Sequence, residues 1–160
     1  MIAVSIVMSI LVYQWLKTYV PSDTLACPSG TSVFIQDISY DCTAKTLSVT
    51  LQNNGKFSVA GFFVYGSTSS DSESLATIDL SSKLISGGTL NGNSVLYEES
   101  ENGLTPESPN DVKTVVFDIS AYGSTLTGIE IIPLRFQEED NKNRIVSCSD
   151  AEIKESLVCD

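Results

Sequence analysis

Leu47-Ser48-Val49-Thr50-Leu51-Gln52-Asn53-Asn54-Gly55-Lys56-Phe57 is the stretch whose reading decides the fold of this chain. Leu47, Val49 and Leu51 alternate with Ser48, Thr50 and Gln52, the period-two pattern of a strand with one buried and one wet face. Asn-Gly supplies the positive φ angles of a tight hairpin, so the strand is expected to turn at Asn53-Asn54-Gly55 and pair with the run from Lys56 through Tyr65. In that run Phe57, Val59, Gly61, Phe63 and Tyr65 share one side, and Ala60, Phe62 and Val64 share the other. A strand apolar on both faces is central in its sheet or covered.

Working outward, Val33-Phe34-Ile35-Gln36-Asp37-Ile38 reads as a first strand. Residues 66–74, rich in Gly, Ser, Thr, Asp and Glu, read as an exposed loop, and the same hydroxyls are candidate O-glycan acceptors. Further strands are expected at residues 75–80, around 83–85, at 94–98 and at 112–119, with Gly87-Gly88 and Asn91-Gly92-Asn93 turning between them. Residues 99–111, with Pro106 and Pro109, form another loop. Residues 128–136 read as a strand that Pro133 interrupts, which implies a bulge or a strand end. A charged turn at 137–143 leads to a last clear strand at 144–148, while 151–158 suits a short helix or a strand equally. Seven to nine short strands with a turn about every ten residues predict an all-β sandwich.

The first twenty residues, MIAVSIVMSILVYQWLKTYV, are different in kind. They carry no charge before Lys17 and only Ser5, Ser9 and Gln14 as polar interruptions. A surface helix shows a wet stripe; this one is apolar on every side and needs lipid or other protein around it. Sixteen residues span about 24 Å as a helix, short of a bilayer core of ~30 Å, so a membrane span requires Lys17 to snorkel and Tyr13, Trp15 and Tyr19 to anchor at the interface. Pro21 closes the helix. Thr24-Leu25-Ala26 before Cys27 resembles a signal cleavage site, but no basic n-region precedes the apolar run. Two readings remain, a plain anchor for an external domain and a helix that rests in the membrane and later packs against its own copies. The second accounts best for apolar character all the way round. Its core-forming residues are Ile2, Val4, Ile6, Val7, Ile10, Leu11, Tyr13, Trp15 and Leu16, with small Ala3, Ser5 and Ser9 allowing close approach. Residues 21–31 form a linker and 32–160 one domain of ordinary size.

The net charge is −11, with 9 Lys and Arg and no His in 160 residues. Phosphate neutralisation needs a basic patch, so nucleic acid is not expected as a partner. Cys27, Cys42, Cys148 and Cys159 are even in number, lack a CxxC pair and have no His to complete a zinc site, which predicts two disulfides and an oxidising exterior. Of the three possible pairings, Cys27–Cys42 and Cys148–Cys159 close the shortest loops and are preferred; stitching the tail to the start of the domain stays open. Without His, the Ser-His-Asp and Cys-His nucleophile systems are excluded. No P-loop, GxGxxG or zinc motif occurs. Glu98-Glu99-Glu101 and Glu138-Glu139-Asp140 lie in predicted turns without calcium-loop spacing and read as solvated charge. No catalytic residue, cofactor or metal site is expected, and the chain is read as a non-enzyme.

Together the apolar helix, Cys27-Pro28-Ser29-Gly30, the Leu47–Phe57 motif, Ile131-Ile132-Pro133 and Cys148-Ser149 make the chain resemble archaeal type IV pilins and pilin-like proteins. The resemblance spans most of the chain. It departs from bacterial pilins at Ser5, where those place a glutamate. It implies an α+β class, a long N-terminal hydrophobic helix followed by an all-β immunoglobulin-like sandwich. It also implies the function of a structural subunit of an extracellular pilus-like filament for adhesion or surface contact, embedded in the membrane before assembly and then partnered with copies of itself in a helical homopolymer. The surface or host-cell ligand is not specified. An archaellum subunit and a membrane-anchored binding module that does not polymerise are the alternatives.

Overall fold

The computed structural model describes residues 2–19, 26–69, 75–97, 99–100, 103–104, 106–139 and 142–159. The expected linker lies outside them up to residue 25, as does the expected Ser/Thr loop from residue 70 onward.

The expected α+β class does not hold. The fold is β-rich, 50% strand and 13% helical, and its one α-helix among the described residues, α1 (Ile2–Tyr19), has 18 residues. That is about 27 Å of helix at ~1.5 Å per residue. Among the described residues no helix is long and apolar enough to cross a membrane. The backbone turns to strand geometry from Val33 on because the apolar period shortens from all-round to every second residue.

The strands in order are β1 (Val33–Asp41), β2 (Thr46–Asn53), β3 (Gly61–Ser67), β4 (Ile78–Asp79), β5 (Leu84–Ser86), β6 (Thr89–Asn91), β7 (Ser94–Leu96), β8 (Glu99–Ser100), β9 (Gly103–Leu104), β10 (Val112–Asp118), β11 (Gly128–Glu139), β12 (Lys142–Ser147) and β13 (Ile153–Ser156). One antiparallel sheet runs β1-β2-β10-β5; the larger runs β12-β11-β3-β7-β6, with β13 beside β11 and β4 beside β3, and β8 pairs with β9. The two large sheets pack face to face. Leu47, Val49 and Leu51 of β2 with Val115 and Phe117 of β10 meet Phe62 and Val64 of β3 with Ile129 and Ile131 of β11 in one buried cluster. The alternation expected of residues 47–52 is therefore correct, and the outward Thr50 and Thr114 join hydroxyls at 2.9 Å.

The hairpin expected at Asn53-Asn54-Gly55 is absent. β2 pairs with β1 and β10, not with the run that follows it, and residues 53–60 cross to the other sheet, where β3 lies between β11 and β7. Gly55 is not among the positive-φ residues, so no primed turn forms. Asn53 instead caps its own turn, its Oδ1 accepting the Gly55 N–H at 3.0 Å. Gly55 is needed for close approach: a Cβ there would stand 2.6 Å from Ser32 N and 2.8 Å from Gly30 O. The tight turns fall elsewhere. Residues 42–45 join β1 to β2, with Asp41 Oδ1 accepting from Thr43 and Ala44 N–H and Lys45 at φ 58°, and Gly92 at φ 62° turns β6 into β7.

Pro133 does not interrupt its strand, and no bulge occurs in the β11–β3 register. Along the other edge of β11, β13 pairs up to Ile131 and β12 begins at Leu134. Pro133 thus sits at the gap between them, where a ladder donor is not required, and its carbonyl accepts the Cys148 N–H at 2.8 Å. The undecided tail at 151–158 is strand, β13.

Candidate assembly surface

Helix α1 carries nine of the sixteen exposed large apolar side chains among the described residues. Each large apolar side chain from Ile6 to Leu16 is at least half exposed, from 51% at Leu16 to 64% at Trp15, and the set includes Val7, Met8, Ile10, Leu11, Val12 and Tyr13. No side of the helix is wet. Fully burying a large apolar side chain contributes roughly 1.5–3 kcal/mol, so covering the exposed half of nine of them is worth on the order of 10 kcal/mol. Of the expected core-forming residues, Ile6, Val7, Ile10, Leu11, Tyr13, Trp15 and Leu16 form this surface; the side chains of Ile2 and Val4 lie outside the described residues.

All four cysteines are paired, but not as preferred. The bonds are Cys27–Cys148 and Cys42–Cys159, with Cα–Cα distances of 5.1 and 5.6 Å. Shortest-loop reasoning fails because partners are chosen by tertiary proximity. β1, lying between Cys27 and Cys42, is the edge of one sheet, and β13, between Cys148 and Cys159, is an outer strand of the other and contacts β1. The bonds therefore staple both ends of one open edge of the sandwich. Cys27–Cys148 encloses 121 residues of sequence, which in the chain-entropy model stabilises by about 5 kcal/mol. With that bond made, Cys42–Cys159 closes a ring of only about 26 residues and adds about 3–4 kcal/mol. Two disulfides fit an oxidising, extracellular environment.

The same end of the head receives the chain arriving from α1. Gln137 Nε2 donates to Ala26 O at 2.9 Å, and the Arg135 guanidinium lies 4.6 Å from the centre of the Phe57 ring. Gly55 and Lys56 N–H donate to Ser32 O and Gly30 O at 3.0 and 2.8 Å. Asn53, fully buried, ties this crossover to a later segment: its Nδ2 donates to Phe57 O at 2.9 Å and to Glu107 O at 3.0 Å. Residues 59 and 107 exchange backbone hydrogen bonds of 2.9 and 2.8 Å, and Asn53 does the same with the 110–111 segment at 2.7 and 3.1 Å.

Beside this seam the Glu107 side chain enters the interior, 1% exposed. Both its carboxyl oxygens and the Tyr97 hydroxyl are buried without a hydrogen bond of ordinary geometry, and the two groups are near enough to act on each other. Burial pushes the Glu107 carboxyl up to about 7; the Tyr97 hydroxyl and Lys113 pull it back, and the Asp111 charge adds to the rise. Burial likewise raises the Tyr97 phenol well above its ordinary value, with the Glu107 charge adding to it. Sequence reading missed this group because a single glutamate between Pro106 and Ser108 in a loop carries no signal of burial.

Among the described residues no group of His, Cys, Asp or Glu is placed to hold a metal ion. The side chains of residues 98–101 and 139–140, which include most of both carboxylate clusters read from the sequence, lie outside the described residues. Compared with protein-family models, with curated proteins and with solved structures, the chain matches none.

Proposed function

We propose that this protein is a structural subunit of an extracellular filament, polymerising through α1 and displaying the β-sandwich on the outside for adhesion or surface contact. The observation that carries this reading is the helix itself, at least half exposed from residue 6 to residue 16 and apolar on every side. In water such a surface is covered by other protein or aggregates. Copies of the same helix are the partner that every molecule brings with it, and repeated side-by-side packing covers all sides of a helix at once. The acidic heads, in a chain of net charge −11, repel one another outside such a core and keep the polymer dispersed. The resemblance of the chain's order of features to archaeal pilins points the same way. On this reading the subunit passes through the membrane before assembly, and the disulfides suit the exterior in which the filament works.

The test is negative-stain imaging of material sheared from cells expressing the chain. Thin fibres that contain it are the expected result. Recovery only as a detergent-bound monomer would defeat the reading and favour a non-polymerising binding module.

A further inference from the structure

The seam between the crossover and residues 106–111 is built almost wholly from satisfied hydrogen bonds, with one exception. Asn53 uses its amide N–H groups and its Oδ1 on Phe57, Glu107 and Gly55, and the backbone of residue 107 is paired in both directions with residue 59. Beside these pairs three oxygens, two of Glu107 and one of Tyr97, are enclosed with no hydrogen bond of ordinary geometry and with only each other as neighbouring side-chain partners. A carboxylate and a phenol oxygen in that situation are tolerable only while the acid keeps its proton, since an isolated buried charge is far more costly than a buried neutral acid. The charged groups that act on Glu107 are Asp111, which opposes ionisation, and Lys113, which is too exposed to neutralise it from inside.

The same seam seats the chain where it enters the head, through the Gly55–Ser32 and Lys56–Gly30 hydrogen bonds. We propose that Glu107 is a proton-operated latch at the base of the head. Protonated, it stays beside Tyr97 and holds residues 106–111 against the crossover. Deprotonated, its carboxylate leaves for water, the 59–107 and Asn53 pairs loosen, and the seat of residues 30–32 loosens with them. The seat of residues 30–32 on the sandwich is thereby stiff in acid and compliant in alkali. Nothing in this depends on whether α1 polymerises. A carboxyl whose proton dissociates near neutrality places the transition within a range that an extracellular protein meets.

The test is amide hydrogen exchange on the full, oxidised chain between pH 5 and 9, corrected for the intrinsic rate. Protection of the residue 55, 56, 59, 107 and 110 amides is expected to fall at least tenfold between pH 6 and 8.5, and to stay level in Glu107→Gln. An equal fall in that variant, or none in the parent chain, would overturn the latch. So would protection of these amides at pH 8.5 that still equals that of the central ladder of β2 and β10, because the seam would then open only with the whole head. If the variant does not fold, the 13C shift of the Glu107 carboxyl in the parent chain decides the matter. A midpoint near 7 supports the latch, and one in the usual carboxylate range refutes it.

Discussion

Helix α1 and strand β2 are both rich in large aliphatic residues, yet Leu11 and Leu51 have opposite fates. Leu11 is 57% exposed and Leu51 fully buried. β2 alternates, so one face finds the opposite sheet while Ser48, Thr50 and Gln52 face out; the domain supplies its own partner. In α1 every side is apolar, and no single surface within one chain can cover all of them. Apolar content thus says which segments need a partner, and its periodicity says whether one molecule is enough.

That comparison is most easily broken by a charge in the helix. Ile10→Asp is expected to reduce fibre yield to nothing while leaving the head's denaturant midpoint unchanged, because a charge buried in an apolar bundle costs several kcal/mol. Parental yield in electron micrographs would remove α1 from the assembly core. On the head side, removing either disulfide alone, by Cys27→Ser with Cys148→Ser or by Cys42→Ser with Cys159→Ser, should lower unfolding free energy by about 3–4 kcal/mol in urea titrations, because the bond that remains still closes the long loop, and removing both should cost about 8 kcal/mol. Single losses of about 5 kcal/mol each would mean that the two bonds act independently and do not share one edge.

A smaller effect separates the two regions directly. Leu51→Ala should destabilise the head by about 3 kcal/mol and Leu11→Ala by less than about 0.5, measured on the same unfolding curve. The pH dependence follows with its sign. Glu107 titrates near 4.5 in an unfolded chain and near 7 when folded, so the folded state holds its proton more tightly between those values. The Glu107 contribution to head stability is therefore full below about pH 4.5 and is lost as pH rises to about 7, by about 3 kcal/mol, and Glu107→Gln should remove that part of the profile. The smallest expected effect contrasts two glycines. Gly55→Ala, driven against Ser32 and Gly30, should cost about 1–3 kcal/mol. Gly92→Asn, at φ 62° with open space around it, should cost under about 1 kcal/mol.

Patterns carried by neighbours in sequence were legible without coordinates. The alternation of Leu47, Val49 and Leu51, the segment from Val112 on, the double-faced run around Phe62 and the two-disulfide count all matched the structure. What failed depended on distant groups. The Asn-Gly signal at residues 54–55 was overridden by Gly30 and Ser32, which occupy the space beside Gly55 and draw the chain across to the other sheet. Pro133 was harmless because β12 and β13 leave it a gap. The α+β class failed because one 18-residue helix weighs little against thirteen described strands.

Determined by sequence alone are the oily, unstriped start, the strand-forming remainder, the acidic surface and the even set of cysteines, since each follows from residue type and short-range spacing. Decided only by tertiary structure are the sheet to which each strand belongs, the cysteine partners and the burial of Glu107. Those depend on which surfaces of a long chain meet, and contacts made across a hundred residues leave no mark on the spacing of any one segment.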